Sequence, residues 1–378
     1  MKILFLHSSS DLYGASKILL VTIDILRRNG HIPIVVLSAG GPLAEELENR
    51  QVEIIYLKLG ILRRKYMHPA GIYNRIHTLY KAVQTLKKII RQEKIDLVYS
   101  NTTAVLAGAF AARQAGVRHI WHVHEIIEKP AFLFRILSYL LKQYSEKIIV
   151  VSGAVKKHWS RYVPEEKLAL IYNGIDYTPY LSVRPPRTAP PDRQNETGKG
   201  IIIGMIGRVH AWKGQDYFLN IAGELIRQFP ELQFVMAGDA FPGNEYLYEA
   251  LEQQKTRLHL THAVTDLGYR TDIPELLHNF DIFVSPSTSP DPFPTVVLEA
   301  MASACAVVAT AHGGVTEMIT QQVEGILIPR DDAAAAAAMM APLITDASLR
   351  QQLGKAASEK VQTTYSMEAF ERKLINVL

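Results

Sequence analysis

The sequence has little of what marks several classes of protein. It contains one cysteine, Cys305, in 378 residues, which excludes an internal disulfide and favours a reducing compartment. Its cysteine and histidine spacing does not match a zinc site. No apolar run reaches the roughly 18 to 20 residues that a transmembrane helix needs, and the apolar start is too short for a signal peptide. The sequence therefore predicts a cytoplasmic protein.

Three motifs are also missing, and each absence argues against one function. Without a G-x-G-x-x-G fingerprint, a nicotinamide-dependent dehydrogenase is disfavoured. Without an Asp-x-Asp pair, a metal-bridged diphosphate is not indicated, and we expect neither a metal site nor a cofactor. Aromatic residues make up 8% of the chain and match no known nucleic-acid module, so nucleic acid is not an expected partner.

The first half of the chain alternates short apolar runs with amphipathic stretches. This alternation predicts a doubly wound parallel α/β sheet with helices on both faces. The predicted strands are residues 2–7, 32–38, 52–57, 96–101, 119–124 and 147–152.

The same alternation restarts after residues 177–200, which hold five prolines and few large apolar groups. Those residues are predicted to be a linker or loop between a domain at 1–176 and a second doubly wound domain at 201–365. The second set of predicted strands is 200–207, 232–239, 264–269, 281–287, 306–310 and 325–329. The final stretch, 366–378, is expected to form a helix that packs back on the first domain.

Charge is distributed unevenly along the chain. Residues 1–176 carry 25 Lys and Arg against 14 Asp and Glu, whereas residues 177–378 carry 16 against 23. A basic first half can face an anionic partner, and the segments 62–68 and 80–94 would suit the surface of an anionic bilayer. Solvated helix faces are the alternative interpretation of the same residues.

Cations and carboxylates follow the strands of the second half. Arg208 and Lys213 come after the strand at 200–207, beside a helix start, which is a suitable place for a diphosphate. Asp291 lies in the turn before a helix that we expect to begin at Thr295, with Thr295 as its cap. Glu299 falls one turn into that helix, where a carboxylate can accept hydrogen bonds from vicinal hydroxyls.

Further candidates lie at other predicted strand ends. Gly314 and Val315, in the stretch "HGGVTEMI", let backbone approach a phosphate before a helix. Arg270 opens the turn on which a flat base could lie. In the first half, Gly14 precedes a helix that can present N–H groups to an anion, and His124 ends a strand. His122 points to the same side as His124 but lies deeper.

Together these features resemble the retaining glycosyltransferases of family 4. The residues that carry the resemblance, which covers essentially the whole chain, are the Arg208 and Lys213 pair, Asp291-x7-Glu299, "HGGVTE" and "YNGID" at 172–176. The resemblance implies the GT-B fold, in which two Rossmann-like domains face a cleft. It also implies that the first domain binds the acceptor and that the second binds a nucleotide-sugar.

The resemblance implies a role for each matching residue. Arg208 and Lys213 resemble the diphosphate clamp, and Glu299 resembles the acid that holds the ribose. Asp291 stands where the family usually has Glu, and that acid contacts donor-sugar hydroxyls. His124 resembles the histidine near the anomeric centre. Gly14 resembles the phosphate-loop glycine, although Tyr13 precedes it where the family often has a second glycine.

We therefore expect a metal-independent retaining glycosyltransferase that moves a sugar from a nucleotide diphosphate sugar to a glycan or lipid-linked acceptor. The expected location is cytoplasmic. If the acceptor is linked to a lipid, the same hypothesis places the protein peripherally at the inner face of the membrane. A nucleotide-sugar epimerase of the same fold is one alternative, distinguished by conversion of the donor without an acceptor. A nucleotide-sugar binding protein without turnover is the other.

Overall fold

The protein is described by a computed structural model that covers residues 1–61, 68–181, 200–241 and 243–378. The chain divides into two compact units. The first unit comprises Met1–Ile175 and Met367–Leu378, and the second comprises Asp176–Ser366. Across the described residues, none of the helices combines the length and the apolar character needed to cross a bilayer.

The first unit is a seven-stranded parallel sheet in the order β3-β2-β1-β4-β5-β6-β7. Its strands are β1 (Lys2–His7), β2 (Ile32–Leu37), β3 (Glu53–Tyr56), β4 (Leu97–Asn101), β5 (Arg118–Val123), β6 (Lys147–Val150) and β7 (Leu168–Leu170). Its helices are α1 (Gly14–Arg28), α2 (Pro42–Asn49), α3 (Pro69–Gln92), α4 (Ala107–Ala115), α5 (Ala131–Tyr144), α6 (Gly153–Trp159) and, from the end of the chain, α14 (Met367–Ile375).

The second unit is a six-stranded parallel sheet in the order β10-β9-β8-β11-β12-β13. Its strands are β8 (Ile202–Ile206), β9 (Gln233–Ala237), β10 (Val264–Asp266), β11 (Ile282–Ser285), β12 (Ala306–Thr310) and β13 (Gly325–Ile328). Its helices are α7 (Gln215–Ile226), α8 (Tyr246–Arg257), α9 (Ile273–Asn279), α10 (Thr295–Ala302), α11 (Val315–Met318), α12 (Ala333–Thr345) and α13 (Ala347–Thr364).

The predicted α/β class and all twelve predicted strands are confirmed. Buried parallel strands are apolar on both faces, so a continuous apolar run locates them well. The strand β7 was not predicted. The helix α1 ends before a glycine, with Gly30 in the left-handed region at φ +77° and its N–H donating to the Arg27 carbonyl.

The predicted linker and the C-terminal segment can be compared with the structure in part. Residues 182–199 lie outside the described part of the chain. The beginning of the predicted linker is packed in the second unit, where Thr178–Tyr180 forms a 3₁₀ turn and the Tyr177 hydroxyl donates to the Tyr365 carbonyl at 3.0 Å. The helix α14 lies against α1, and its Glu371 accepts hydrogen bonds from Arg28 and Asn29.

Each sheet has one point at which the strand order reverses. In the first unit it lies between β1 and β4, and in the second between β8 and β11. The loops that leave the carboxyl ends of the strands diverge on the two sides of such a point and leave a crevice. Side chains that follow these four strands are therefore the first candidates for a site.

Candidate active site

The reversal point of the second sheet brings together a cation and a carboxylate that are 78 residues apart. Lys213 precedes α7, and Asp291 follows β11. The Lys213 ammonium lies 2.6 Å from the Asp291 carboxylate and 4.3 Å from the centroid of the Trp212 ring. Asp291 is buried, and its side chain is less exposed than that of Lys213. The pair is therefore largely shielded from water, which strengthens its interaction with any further charge.

The two loops that carry this pair are fastened to each other. The Thr288 N–H donates to the Trp212 carbonyl at 2.9 Å, and its hydroxyl donates to the Ala211 carbonyl. Gly214 has φ +80°, and a Cβ there would lie 2.0 Å from the Pro286 carbonyl oxygen. Only glycine fits both the conformation and the space. The position of Lys213 is thus set by packing between two segments that are remote in sequence.

Arg208 leaves the end of β8 and stacks on an aromatic ring. Its guanidinium carbon lies 3.3 Å from the centroid of Phe241, which follows β9. The buried Gln215 also fixes this loop, since its side-chain amide donates to the Arg208 carbonyl at 2.9 Å. A guanidinium can both stack on an aromatic ring and bind a phosphate through its N–H donors. Neither Phe241 nor Gln215 was predicted, because both act through contacts that have no sequence period.

The paired glycines of the "HGG" stretch pack against the Asp291 turn. Gly313 has φ +69°, and a Cβ on Gly314 would lie 2.0 Å from the Pro292 carbonyl oxygen. The Gly314 N–H donates to the Asp291 carbonyl at 2.8 Å, and Val315 begins α11. The two glycines are therefore required by the approach of backbone to backbone, independently of any ligand.

Glu299 is buried in the second turn of α10. The helix begins at Thr295 as predicted, but the prediction that Thr295 caps it is wrong. Pro294 has the extended backbone of the cap position, so Thr295 is already the first helical residue and its hydroxyl lies past that position.

Two tyrosines lie in the electrostatic field of Glu299. Burial raises the pKa values of Tyr177 and Tyr180 far above the usual range, and the Glu299 carboxylate raises the pKa of each further. Both phenols therefore stay protonated at physiological pH.

Arg270 follows β10 and is engaged with a neighbour. Its Nε donates to the Asp272 carboxylate at 2.7 Å, and a second guanidinium nitrogen also donates to Asp272. The hydrogen bond from Arg270 lowers the pKa of Asp272, which stands at the N-cap position of α9. Arg270 and Arg208 both lie at the carboxyl edge of the second sheet. Arg270 is further to the side, because β9 separates its strand, β10, from β8, which carries Arg208.

A cavity of about 100 Å³ lies at this flank of the edge. Gly207, Gly238 and Gly268, which follow β8, β9 and β10, contribute to its wall. Gly238 has φ +141°, and a Cβ there would lie 1.9 Å from the Gly207 carbonyl oxygen. The close approach of these two loops therefore depends on glycine. The remaining wall is formed by Met205, Val209, Gln215, Met236, Ala237, Tyr248, Leu251, Glu252 and Asp266.

The reversal point of the first sheet carries a connected set of polar side chains. His7 ends β1 and is paired in register with Asn101, which ends β4. His124 follows β5, and its Nε2 lies 2.9 Å from the Asn101 Oδ1. The Asn101 Nδ2 lies 2.9 Å from the His7 Nδ1 and donates to the Ala15 carbonyl at 3.1 Å, one residue after Gly14. Gly14 and His124, which were predicted separately, are thus linked through Asn101.

The hydrogen bonds of Asn101 determine the orientation of its own amide group and the tautomer of His124. Because the Ala15 carbonyl can only accept, the Asn101 nitrogen must face it, and the Asn101 oxygen must therefore face His124. His124 then carries its proton on Nε2, and Nδ1 keeps a lone pair. Burial lowers the pKa of His124 well below its ordinary value, and the neighbouring His122 and His7 lower it further, so the ring is neutral.

The loop before α1 holds a carboxylate of its own. Asp11 accepts hydrogen bonds from the Ser9 hydroxyl at 2.7 Å and from the Tyr13 N–H at 3.3 Å. Gly14 is the first residue of α1, with Tyr13 at the cap position. The Asp11 carboxylate thus lies against the start of this helix.

Glu125, which was not among the predicted site residues, lies next to His124. Its carboxylate accepts from the Thr103 N–H at 3.1 Å and from the His124 N–H at 3.0 Å. Burial raises the pKa of Glu125 to about 7, although these backbone donors oppose the shift. The only signal in sequence was its position directly after "WHVH".

The buried histidines of the first unit make its stability dependent on pH. Burial lowers the pKa values of His7 and His119 to about 4 and that of His122 to about 3. Below pH 6.5 the unfolded chain protonates these groups and the folded chain does not, so stability falls as pH falls from about 6.5 towards 4. Glu125 acts in the opposite sense, because stability from its raised pKa is lost as pH rises through about 7.

These three histidines, together with His124 and His158, whose pKa values burial also lowers, outweigh the one acid. We expect the free energy of unfolding of the first unit to fall by at least about 2 kcal/mol per pH unit between pH 6 and 5. The buried Trp121 and Trp159 report on this unit, so fluorescence melts at pH 7 and pH 5 measure the effect. The variant His122→Asn should show a weaker pH dependence; an unchanged dependence would contradict the assignment to buried histidines.

Two family models match the chain. The model "Glycosyltransferase Family 4" matches residues 14–178, and the model "Glycosyl transferases group 1" matches residues 187–360. Together they contain most of the site residues described above, including His124 in the first and Arg208, Lys213, Asp291 and Glu299 in the second.

Similar proteins include two that are named as glycosyltransferases. An Escherichia coli protein named UDP-Gal:alpha-D-GlcNAc-diphosphoundecaprenol alpha-1,3-galactosyltransferase is 25% identical over 67% of this chain and 67% of its own length. A Campylobacter jejuni protein named GalNAc-alpha-(1->4)-GalNAc-alpha-(1->3)-diNAcBac-PP-undecaprenol alpha-1,4-N-acetyl-D-galactosaminyltransferase is 22% identical over 95% of this chain and 93% of its own length.

A solved structure resembles the whole fold. Anabaena HepE in complex with UDP-glucose matches with a TM-score of 0.84 and 26% identity, over 100% of this chain and 99% of that protein. The match agrees with the predicted GT-B class. With two family models in sequence along one chain and this likeness of fold, the chain belongs to glycosyltransferase family 4 and is a glycosyltransferase.

Proposed function

We propose that the protein transfers a sugar, with retention of anomeric configuration and without a metal ion, from a nucleotide diphosphate sugar to a glycan or lipid-linked acceptor hydroxyl. The observation that carries the proposal is the shielded Lys213 and Asp291 pair, with Arg208 on the preceding strand end. Two cations at one edge of the sheet can bind a diphosphate and stabilise the charge that develops on it as the bond to the sugar breaks.

The ion pair with Asp291 fixes the position of the Lys213 ammonium before the donor binds. Asp291 neutralises Lys213 at 2.6 Å, so the ammonium is held in place without a phosphate. A diphosphate brings more negative charge than one carboxylate, and the ammonium can donate to both because it has three hydrogens. Asp291 is then in position to accept hydrogen bonds from hydroxyls of the sugar, as we propose for this residue.

Glu299, Arg270 and the glycines complete the proposed donor site. Glu299 accepts hydrogen bonds from the ribose hydroxyls. Val315 offers its backbone N–H to a phosphate, while Gly314, whose own N–H donates to the Asp291 carbonyl, lets the backbone come close to that phosphate. The flank with Arg270 and the glycine-lined cavity receives the base. The complexes of Anabaena HepE with UDP and with UDP-glucose support a uridine nucleotide as the donor carrier.

His124 and Gly14 belong to the proposed acceptor side of the reaction. A neutral His124 with its proton on Nε2 presents Nδ1 as a hydrogen-bond acceptor, and a hydroxyl of either substrate can donate to it. Asn101 holds the ring in that tautomer. The names of the Escherichia coli and Campylobacter jejuni relatives, both acting on undecaprenol diphosphate-linked sugars, support a lipid-linked acceptor. With such an acceptor, we propose a peripheral position at the inner face of the membrane.

The test begins with a calorimetric titration of the protein, in the presence of EDTA, against UDP, GDP, ADP and dTDP. We expect tight binding of UDP and, with the corresponding nucleotide-sugar and an acceptor panel, a product whose anomeric proton coupling matches that of the donor. His124→Ala should lower transfer while leaving nucleotide affinity unchanged. Loss of binding and turnover in EDTA would contradict metal independence. Conversion of the donor into an isomer without acceptor would favour an epimerase instead.

A further inference from the structure

Four consecutive helices cover one face of the sheet in the first unit. The connections from β1 to β2 and from β2 to β3 cross the sheet in one direction. The connections from β3 to β4 and onwards to β7 cross it in the opposite direction. Because parallel crossovers are right-handed, α1 and α2 lie on one face, and α3, α4, α5 and α6 lie on the opposite face. Contacts of α3 with α4, of α4 with α5 and of α1 with α14 agree with this division.

The two faces differ in charge. The helices α3 to α6 contain no aspartate or glutamate, and they carry ten lysines and arginines, five of them on α3, one on α4, two on α5 and two on α6. The helices α1, α2 and α14 together carry six acids and five lysines and arginines. The basic excess of the first half is therefore a property of one face.

An apolar stripe lies on the solvent side of α5. Phe132, Ile136 and Tyr139, at the i, i+4, i+7 spacing of one helix face, are between 51 and 62% exposed. The opposite side of α5, with Phe134 and Leu141, is buried and packs on the core. Arg135 and Lys142 flank the exposed stripe. The helix α5 needs one apolar side to pack on the core, and it has a second apolar side that is exposed.

The first half of α3 has a similar surplus of apolar side chains. Ile72, Tyr73, Ile76 and Tyr80 are between 43 and 74% exposed, whereas Val83, Leu86 and Ile90 further along the helix are buried. With 24 residues α3 is about 36 Å long, roughly twice the length of the five-residue strand β4. Since its end leads into the start of β4, its first half extends past the carboxyl edge of the sheet.

We propose that these exposed residues of α3 and α5 form a surface that docks on an anionic lipid bilayer. We call it the basic aromatic face and define it by Ile72, Tyr73, Ile76, Tyr80, Phe132, Ile136 and Tyr139 with the surrounding lysines and arginines of α3 and α5. Aromatic and aliphatic side chains enter the boundary between headgroups and acyl chains, and cations attract the anionic headgroups.

Charge selects this occupant over a second copy of the chain. Two such faces placed against each other would oppose lysine and arginine with lysine and arginine, because neither helix offers a carboxylate. An anionic bilayer supplies the missing negative charge and an apolar interior at once. The carboxyl edge that α3 overhangs also carries His124, so docking would bring a lipid-linked acceptor to that edge. The proposal rests on the proposed function only for the identity of that acceptor.

Flotation of the full-length protein with vesicles tests the proposal. We expect binding to vesicles of phosphatidylcholine with phosphatidylglycerol and much weaker binding to phosphatidylcholine alone, with the difference reduced as salt is raised. Arg135→Gln with Lys142→Gln should weaken anionic binding at least about tenfold. Phe132→Ser with Ile136→Ser should do so by a similar factor.

Matched controls lie elsewhere on the surface. Ile32→Ser with Tyr246→Ser removes apolar side chains of comparable exposure, and Arg227→Gln with Lys355→Gln removes two exposed cations of the second unit. The proposal is overturned if these controls weaken binding as much as the face variants do. It is also overturned if neutral and anionic vesicles bind the protein equally at low salt.

Two further readouts separate the possible failures. Sedimentation velocity without lipid reveals whether the face variants instead abolish self-association, which would reassign the face to a contact between copies. Calorimetry with UDP on the same samples should be unchanged by the face variants. Vesicle binding without any nucleotide binding would leave the docking surface standing and remove the proposed function, whereas nucleotide binding without vesicle binding would do the reverse.

Discussion

Replacing Lys213 by methionine is expected to lower the rate of sugar transfer by about 10² to 10³. Methionine keeps much of the length and apolar character of the side chain but removes the charge that balances the departing diphosphate. Because that charge develops in the transition state, kcat should fall more than the affinity for the donor. Steady-state kinetics with the identified nucleotide-sugar, together with a calorimetric titration of the nucleotide, measures the two effects separately.

A control for Lys213 exists in the same unit. Lys360 forms an ion pair with Glu324 at 3.2 Å, and the exposed fractions of these side chains, 19% and 12%, nearly equal the 21% and 11% of Lys213 and Asp291. Lys360→Met should therefore cost similar stability and leave transfer unchanged. The double variant Lys213→Met with Asp291→Asn removes the unpaired buried carboxylate. If it restored transfer, the loss in the single variant would be due to Asp291, and the clamp would be refuted.

Replacing Glu299 by glutamine is expected to weaken nucleotide binding by about 10². Charge-assisted hydrogen bonds from two vicinal ribose hydroxyls would be exchanged for weaker neutral ones, and the buried amide nitrogen would face donors instead of accepting from them. The measurement is a calorimetric titration with the cognate nucleotide and with its 2′-deoxy counterpart. The wild-type protein should prefer the ribonucleotide by at least about tenfold, and Glu299→Gln should lose that preference.

Comparing the two nucleotides on the wild-type protein and on the variant distinguishes a ribose contact from a structural role. Glu324→Gln changes another largely buried carboxylate of the second unit, which is paired with Lys360, and it should keep the preference for the ribonucleotide. If Glu299→Gln weakened both nucleotides by the same factor, Glu299 would support the fold of the site without contacting the 2′-hydroxyl.

Alternating apolar runs were sufficient to predict every strand of the two described sheets except β7. The information is local, since a buried parallel strand is apolar on both faces and the helix after it repeats every three to four residues. The glycosyltransferase family was predicted differently, by the resemblance of the acids, cations and glycines at strand ends to the motifs of a known family. The carboxyl ends of parallel strands meet at one edge, so even the general location of the site follows from the order of residues along the chain.

The contacts within the site depend on which strands are neighbours, and no local pattern encodes that order. Lys213 meets Asp291 because β8 and β11 are adjacent in the sheet although 78 residues separate the two side chains. Asn101 orients His124 because β4 lies between β1 and β5. The glycines of "HGG" were expected to admit a phosphate, and their close contact with the Asp291 turn became visible only with both loops in place.

The distribution of charge gives the same contrast between chain and fold. Counting residues along the sequence establishes that the first half is basic, with 25 Lys and Arg against 14 Asp and Glu. Only the topology separates that excess into a basic face on α3 to α6 and a mixed face on α1, α2 and α14. The physical reason is the handedness of parallel crossovers, which assigns each helix to one side of the sheet according to the direction in which the chain crosses it.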